Sequence, residues 1–575
     1  MRRRHVAIVG GGIAGLAAAL ALNDAFDGDV TLTIIEQSDR LGGKLRTGMI
    51  DGRRVETGAE TFLAREADDP NGGPSAAVEL ARRVGLGPTL IHPQTTAAAV
   101  FAAGEFRPMP AGTLMGVPAD VSTWPGIAGA ALAADTDHDD GRPILAAGED
   151  ASVGAVVRRR FGDAIVDDLV DPMLGGVYAG RADDLSIAVT MPGLAAACRA
   201  EHTLQQAVRA TLARRVTADD RPWPADGPIG SDPIGSAPVD TAPSAPLGSA
   251  SAAVTSTVGL DGAEVVGGAG GVGAASGVGA RGGGARGVGA AGGVGASGGG
   301  AAGGAGARGG GASGGVRVVR GAGPAAAARG GSAGASAALA SIGPAARRAA
   351  NVGPAFATVD GGLSRLVAAI DKALPSATVL LGHPVRNIAR SNGGWRLMYG
   401  STHDAHTLDV DAVVLAVPSH PAARLLAPFG GGAADAVGAL DYASLALVTM
   451  LLPPQALAGT PLDERSGGLV PAASGHAVKA VTVFSTKWAG QPDGAVLLRA
   501  SLGRYGDEQV LQMPDKGLAD LAYSDLVKML GRPLPAPWHA AVTRWGGALP
   551  QYAPGHLDRV ASARAALPPT IALAG

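Results

Sequence analysis

The first forty residues carry the clearest pattern of apolar and polar positions. Val6-Ala7-Ile8-Val9 is an unbroken apolar run that ends at Gly10-Gly11-Gly12. Leu16 to Leu22 is again apolar and rich in alanine, and Val30-Thr31-Leu32-Thr33-Ile34-Ile35 follows it. Short β-branched runs bounded by glycine read as buried strands, and the alanine–leucine stretch between them reads as a helix. The prediction is strand, tight turn, helix, strand. Ser75 to Gly87 is an amphipathic helical pattern stopped by glycine. Gly104-Glu105 marks a turn within Phe101 to Met109. A second strand-rich block covers about 355 to 420.

Between about 217 and 352 the periodicity disappears. Gly, Ala, Ser and Val dominate, with Pro at the start and scattered Arg. The glycine spacing is irregular, which excludes a collagen helix. Gly-Val-Gly-Ala recurs at 271–274 and 287–290, but there are too few large apolar residues to bury. This stretch is expected to be a disordered spacer inserted into the folded protein.

Composition narrows the partners. A formal net charge of -3 over 575 residues gives no sign of nucleic-acid binding. The three arginines Arg158-Arg159-Arg160 stand among acidic neighbours and read as a solvated helix face. The single cysteine, Cys198, excludes an internal disulfide and a cysteine metal cluster, and it fits a reducing cytoplasm. It reads as a small buried hydrophobe. Met1-Arg2-Arg3-Arg4 has the charge of a signal peptide, but the run behind it is broken by glycines. No uninterrupted apolar stretch of membrane-spanning length occurs outside glycine-rich sequence, which leaves peripheral membrane contact open. The eleven histidines are dispersed, and no triad or metal-ligand spacing is present.

The chemistry lies in the glycine turn. Gly10-x-Gly12-x-x-Gly15 has the spacing of a dinucleotide-binding turn. Gly10 permits the turn, Gly12 admits a pyrophosphate, and Gly15 lets the helix approach the strand. The helix N-terminus, with Ile13 and Ala14 in its first turn, points N–H groups at the phosphates. Glu36, at the end of the second strand, is placed to accept ribose hydroxyls. Gly42-Gly43 lets the chain pass close to a ligand, and Arg40 and Lys44 can meet phosphate charge.

Further segments make the pattern specific. Glu36 to Lys44 and Gly58-Ala59-Glu60-Thr61-Phe62 resemble two flavin-contacting stretches of amine-oxidase-like FAD flavoproteins. Met109-Pro110-Ala111-Gly112, Arg158-Arg159-Arg160-Phe161-Gly162-Asp163 and Pro172 to Gly180 follow in order. So do Thr358 to Leu363, His383-Pro384-Val385, Val413 to Pro418, Ser485-Thr486-Lys487-Trp488, Leu498-Arg499-Ala500, and Thr543 to Tyr552. Together they resemble the bacterial, actinobacterial-type coproporphyrinogen/protoporphyrinogen oxidase family over residues 5 to about 210 and about 354 to 575.

The resemblance implies an α/β fold. A Rossmann-like FAD-binding domain is assembled from 1–95, 353–440 and 541–575, and an α+β substrate domain from 96–216 and 441–540. It implies a non-covalent FAD held by Gly10, Gly11, Gly12, Ile13, Ala14, Gly15, Glu36 and Gln37. Gly43, Lys44, Gly58, Ala59, Glu60 and Thr61 would hold its middle, and Val385 and Trp545 would complete the site. It also implies a reaction. A porphyrinogen in haem synthesis loses hydride from a carbon bridge to the flavin and protons from its pyrrole nitrogens. O2 then reoxidises the flavin to give H2O2, and repetition yields the porphyrin. Coproporphyrinogen III is the implied substrate, with protoporphyrinogen IX beside it. No catalytic side chain is required, and Arg65 and Tyr178 are the candidate substrate contacts. The competing readings are an amine oxidase or carotenoid desaturase of the same superfamily, and a catalytically silent flavin-fold protein. Ile571 to Gly575 stops where the family continues into a last flavin motif, so the chain ending there is expected to hold FAD weakly. The oligomeric state is left open.

Overall fold

Strand β1 (Arg4–Val9) is the central strand of a five-stranded parallel sheet. The computed structural model describes residues 3–65, 73–123, 137–219, 355–489 and 494–575. The spacer expected at 217–352 lies outside the described residues, except that the helix Leu204–Asp219 overlaps its first positions.

The parallel sheet has the order Thr378–Leu380, β2 (Val30–Ile35), β1, Ala412–Leu415 and Ile571–Leu573. Val6 to Val9 are buried on both faces, as the uniform β-branched run predicts. Helix α1 (Ile13–Ala25) crosses over one face, with Leu16, Ala18, Ala19 and Leu20 buried. Registers align Val9 with Ile35 and Leu415, Leu380 with Ile35, and Leu415 with Leu573. All five strands therefore end at one edge, where open α/β sheets bind ligands. An antiparallel sheet of Val385–Ser391, Gly394–Gly400 and Ala405–Val410 packs on the other face through Ile388, Trp395 and Leu397.

A second sheet has seven strands. Its order is His539–Pro550, Tyr442–Leu452, Val496–Leu502, Val478–Val483, Gly467–Leu469, Ala98–Ala102 and Glu105–Pro108. Its neighbours are antiparallel except Gly467–Leu469 with Ala98–Ala102, which run parallel. The helix Asp515–Leu530 covers one face with Leu518, Ala522, Leu526 and Met529, a stripe at helical spacing. The domain boundary expected at 540/541 falls inside the strand His539–Pro550. Nine of its residues pair with Tyr442 to Leu451, so the ladder carries this segment with the second sheet.

A layer of short helices between Val153 and Asp219 forms its own core around Phe161, Leu169, Leu174, Leu185 and Leu194. The arginines expected on a solvated face are used inside this layer. Arg158 bonds Asp163, Asp167 and Asp183, Arg159 reaches the Ile144 carbonyl, and buried Arg160 reaches the His138 carbonyl. Acidic loops around the helix convert a surface run into a local scaffold. Cys198 is fully buried in the same layer. Among the described residues, no helix is long and apolar enough to cross a membrane.

Candidate functional site

The shared edge of the parallel sheet carries the glycine turn. Gly10 has φ +110°, and a Cβ there would sit 2.3 Å from the Ala416 carbonyl oxygen. A Cβ on Gly15 would sit 2.0 Å from the Gly10 carbonyl oxygen, so strand, turn and helix can meet only at glycine. A Cβ on Gly12 would meet nothing within 4 Å. The chain leaves space there, at a helix N-terminus that no side chain caps. Open backbone at the positive end of a 13-residue helix fits a pyrophosphate. Ile13 and Ala14 form the first turn beside it.

Glu36 is buried at the next strand end. Its Oε2 accepts the Gly11 N–H at 2.7 Å, and its Oε1 accepts the Ser38 N–H at 2.8 Å and the Ser38 hydroxyl at 2.7 Å. A carboxylate has about four acceptor directions, so one remains for a ribose hydroxyl. Gln37 beside it is exposed. The Glu36 N–H donates to the Leu380 carbonyl at 2.9 Å, and the His383 N–H donates to the Glu36 carbonyl at 2.9 Å. These bonds bring the start of the Val385 strand against Glu36, and Val385 packs on the core shared with Val9 and Ile35.

Gly43 stacks on Gly12, with only 3.2 Å between its Cβ position and the Gly12 Cα. Arg40, read as a phosphate contact, instead bonds the Leu41, Leu45 and Gly43 carbonyls and holds this loop. The second glycine segment lies alongside. The Thr57 N–H donates to the Arg46 carbonyl at 2.8 Å, and the Ala59 N–H donates to the Lys44 carbonyl at 3.0 Å. A Cβ on Gly58 would fall 2.0 Å from that Lys44 oxygen. Lys44 remains solvent-accessible. Desolvation lowers its pKa, and its ammonium lies 5.8 Å from the Tyr442 ring centroid.

The second sheet grips this segment from the other side. Trp545 Nε1 donates to the Thr57 carbonyl at 2.7 Å, and its ring lies 3.1 Å from the Gly58 Cβ position. Arg499 donates to the Glu56 carbonyl at 3.0 Å and the Gly58 carbonyl at 3.3 Å. Glu60 is buried against Lys487 at 2.7 Å, Arg499 at 2.8 Å and the Trp488 indole N–H at 3.0 Å. Burial alone would raise its pKa, but Arg499 and Lys487 outweigh it and hold the carboxyl low. Both Glu60 oxygens are thus engaged within the protein. Thr61 follows, half-buried. The sequence carries Lys487, Trp488 and Arg499 in recognisable segments, but nothing local ties them to Glu60.

The two candidate substrate residues lie elsewhere. Arg65 is buried just past this segment, and its backbone bridges to Pro74. Tyr178 ends the helix Asp171–Tyr178 on the helical layer, before Ala179 at φ +55°. Its carbonyl accepts the Gln551 amide at 2.8 Å. Gly180 is required beside it, because a Cβ would come 2.1 Å from Gln551 Oε1. Tyr178 and Tyr552 meet edge to face, their centroids 6.1 Å apart. Leu445, Leu447, Ala548 and Leu549 form an apolar cluster with Trp545 on the second sheet.

Comparison with known proteins bears on this arrangement. The family model described as flavin containing amine oxidoreductase matches residues 13–215 and 321–575. The chain is 28% identical over 578 aligned residues to the coproporphyrinogen III oxidase of Mycobacterium bovis, covering all of this chain and 93% of that protein. It is 24% identical to the Bacillus subtilis coproporphyrinogen III oxidase, covering 98% and 91%. A solved structure from Exiguobacterium sp. 255-15, assigned as a protoporphyrinogen oxidase, superposes with a TM-score of 0.66 at 23% identity. It covers all of this chain and 94% of that one, and at this identity the likeness carries the fold.

Proposed function

This chain belongs to the flavin-containing amine oxidoreductase family, and on that premise we propose that it oxidises a porphyrinogen, coproporphyrinogen III first, to the porphyrin. The observation that carries the reading is the joint between the sheets at Thr57 to Glu60. There the cofactor segment meets Trp545 and Arg499, at the border of an apolar sheet face. A flat apolar wall beside a flavin suits a tetrapyrrole better than a small amine. Coproporphyrinogen III oxidases aligned along the chain's length point the same way.

A bound FAD supplies the acceptor for hydride from the substrate's carbon bridge. The chain's residues do the rest. Gly12 and the first turn of α1 would hold the pyrophosphate, Glu36 would hold the ribose, and Val385 would border the adenine side. Gly43, Lys44, Gly58 and Ala59 would line the cofactor's middle. Trp545 and Arg499 fix the Thr57–Gly58 backbone, so that segment is set before ligands arrive. Attachment is proposed to be non-covalent, and Cys198, buried in the helical layer, offers the cofactor no thiol. O2 is the proposed final acceptor, and the cytoplasm the proposed location.

The test supplies coproporphyrinogen III, protoporphyrinogen IX or a polyamine in air to the FAD-loaded protein. Porphyrin fluorescence and peroxide are followed. Porphyrin formation with one H2O2 per oxidation step is expected. Oxidation of the amine alone overturns the reading.

A further inference from the structure

The three-stranded antiparallel sheet lays its inner side chains on the parallel sheet in rows. One row is Ile388, Leu397 and Leu408, paired strand to strand. Ile388 and Leu397 are buried in the cluster that also holds Val9 and Ile35, the last residues of β1 and β2. The next row is Val385, Tyr399 and His406, again paired strand to strand. Tyr399 lies two residues beyond Leu397 and so shares its face. A bulge between Val385 and Asn387 brings Val385 to that face as well. Val385 and Tyr399 reach the edge of the cluster but stay half-buried, and the His406 side chain is 45% exposed. The protein thus covers this inner face as far as the Leu397 row and leaves the Tyr399 row partly open.

That open row borders the glycine turn and Glu36. The His383 N–H donates to the Glu36 carbonyl at 2.9 Å, and the Gly382 N–H donates to the Ser38 carbonyl at 2.7 Å. Val417, packed on the same cluster as Tyr399, comes within 3.1 Å of the Gly10 Cβ position. The His383 ring completes the row. Its centroid lies 5.6 Å from that of Tyr399 and 5.9 Å from that of His406, and Tyr399 and His406 are 5.4 Å apart. Both outer rings are held by the chain. His383 Nδ1 donates to the Leu381 carbonyl at 2.5 Å, and His406 Nε2 lies 3.2 Å from Asp404 Oδ1. Three mutually contacting rings therefore stand next to the strand end that carries Glu36.

We propose that Tyr399, flanked by His383 and His406, is the stacking face for the adenine of the bound dinucleotide. This seat serves the cofactor, and it does not depend on which substrate the flavin oxidises. Adenine is flat and uncharged, so it is held by its π-face and by apolar contact rather than by an ion pair. A half-open aromatic row supplies the face, and Val385 supplies an apolar edge. The glycine turn takes the pyrophosphate and Glu36 the ribose, and the rings take the base that lies beyond them. The row gives the protein its preference for a dinucleotide over a mononucleotide flavin. All three are binding residues and carry no chemical step.

The test titrates the full-length, flavin-free protein with FAD, with ADP-ribose, which has the adenine but no flavin, and with FMN, which has the flavin but no adenine. Calorimetry follows the first two and flavin fluorescence the third. Tyr399→Leu removes the π-face and keeps the apolar bulk, whereas Tyr399→Phe keeps the face and removes the hydroxyl. Wild type is expected to bind FAD more tightly than FMN. Tyr399→Leu should weaken FAD and ADP-ribose about tenfold. Its FMN affinity and its flavin-free melting temperature should match the wild type, and Tyr399→Phe should bind all three ligands as wild type does. A Leu variant that keeps wild-type affinity for FAD and ADP-ribose overturns the seat. An equal loss for FMN overturns it too, because the ring would then only pack, and a Phe variant as weak as Leu assigns the contact to the hydroxyl and overturns the stacking. A wild-type protein that binds FAD no better than FMN removes the seat and leaves porphyrinogen oxidation standing.

Discussion

Replacing Glu60 by Gln changes one oxygen and one charge where the two sheets meet. The Glu60 side chain is 7% exposed and faces two cations, with Lys487 at 2.7 Å and Arg499 at 2.8 Å. A neutral amide leaves both cations buried without their counter-charge, and its NH2 group must point at one of them. Removing one member of a buried ion pair costs about 3–5 kcal/mol. Against a typical domain stability of about 5–15 kcal/mol, that is a large fraction. Because the cations hold the folded pKa of Glu60 below its unfolded value, its contribution is present above the ordinary carboxylate range. It is lost as pH falls through the lowered folded pKa. Urea unfolding followed by tryptophan fluorescence should show Glu60→Gln destabilised by about 3 kcal/mol or more at pH 7. The gap from wild type should close as the medium becomes strongly acidic. Adding Lys487→Met should recover part of the loss, since one orphaned cation is removed. A penalty under about 1 kcal/mol at pH 7, or one unchanged in acid, would refute the electrostatic account.

Gly12→Ala should melt within about 0.5 kcal/mol of wild type, because its Cβ meets no protein atom, yet flavin titration should show clearly weaker FAD binding. Gly15→Ala should lose about 1–3 kcal/mol or more from the collision with the Gly10 carbonyl; wild-type FAD affinity in the first, or wild-type stability in the second, contradicts the site. Lys479 is buried, and desolvation, helped by Arg504 and Arg499, lowers its pKa to about 7. Between about pH 7 and the ordinary lysine range the unfolded chain holds a proton that the folded chain has released, so the burial penalty is relieved and wild-type stability rises with pH there, a slope that Lys479→Met lacks; identical slopes of urea midpoint against pH exclude it. The Cys198 thiol, pushed up to about 12 by burial, should resist a disulfide reagent until the protein unfolds, and labelling of native protein at the unfolding-independent rate of a free thiol would count against the burial.

The half of the site that is local in sequence was legible. Val6 to Ile35 encodes strand, turn, helix and strand within thirty residues, and the glycine positions follow from contacts inside that unit. Gly58 was legible only through the resemblance of Gly58 to Phe62 to a flavin-contacting stretch; the structure adds the reason, the Lys44 carbonyl that leaves no room for a Cβ. What was not legible depends on pairings across hundreds of residues. Gly467–Leu469 lies beside Ala98–Ala102, and no local pattern announces that pairing. The boundary drawn at 541 falls inside one strand, whose ladder pairs Thr543, Arg544, Trp545 and Leu549 with Leu447, Ala446, Leu445 and Ala443. Arg158 to Arg160 read as solvated because charge runs usually are. Here Asp163, Asp167 and Asp183 surround the first of them, two within ten residues and one from a later loop.

Glu60 shows why the two halves cannot be understood separately. Its sequence context marks it as a cofactor residue, but its carboxylate is spent on Lys487, Trp488 and Arg499. Trp545 and Arg499 likewise bond the Thr57 and Gly58 carbonyls and leave the outward face of that segment free. The second sheet therefore determines where the cofactor segment sits. Any ligand that prefers this arrangement must stabilise the packing of the two sheets by the same free energy with which that packing favours the ligand. Substitutions at Glu60, Arg499 or Trp545 should then weaken FAD retention without touching the glycine turn. Substitutions in the turn should, by the same linkage, lower the melting temperature of the FAD-loaded protein while leaving the cofactor-free protein unchanged wherever, as at Gly12, no protein contact is disturbed.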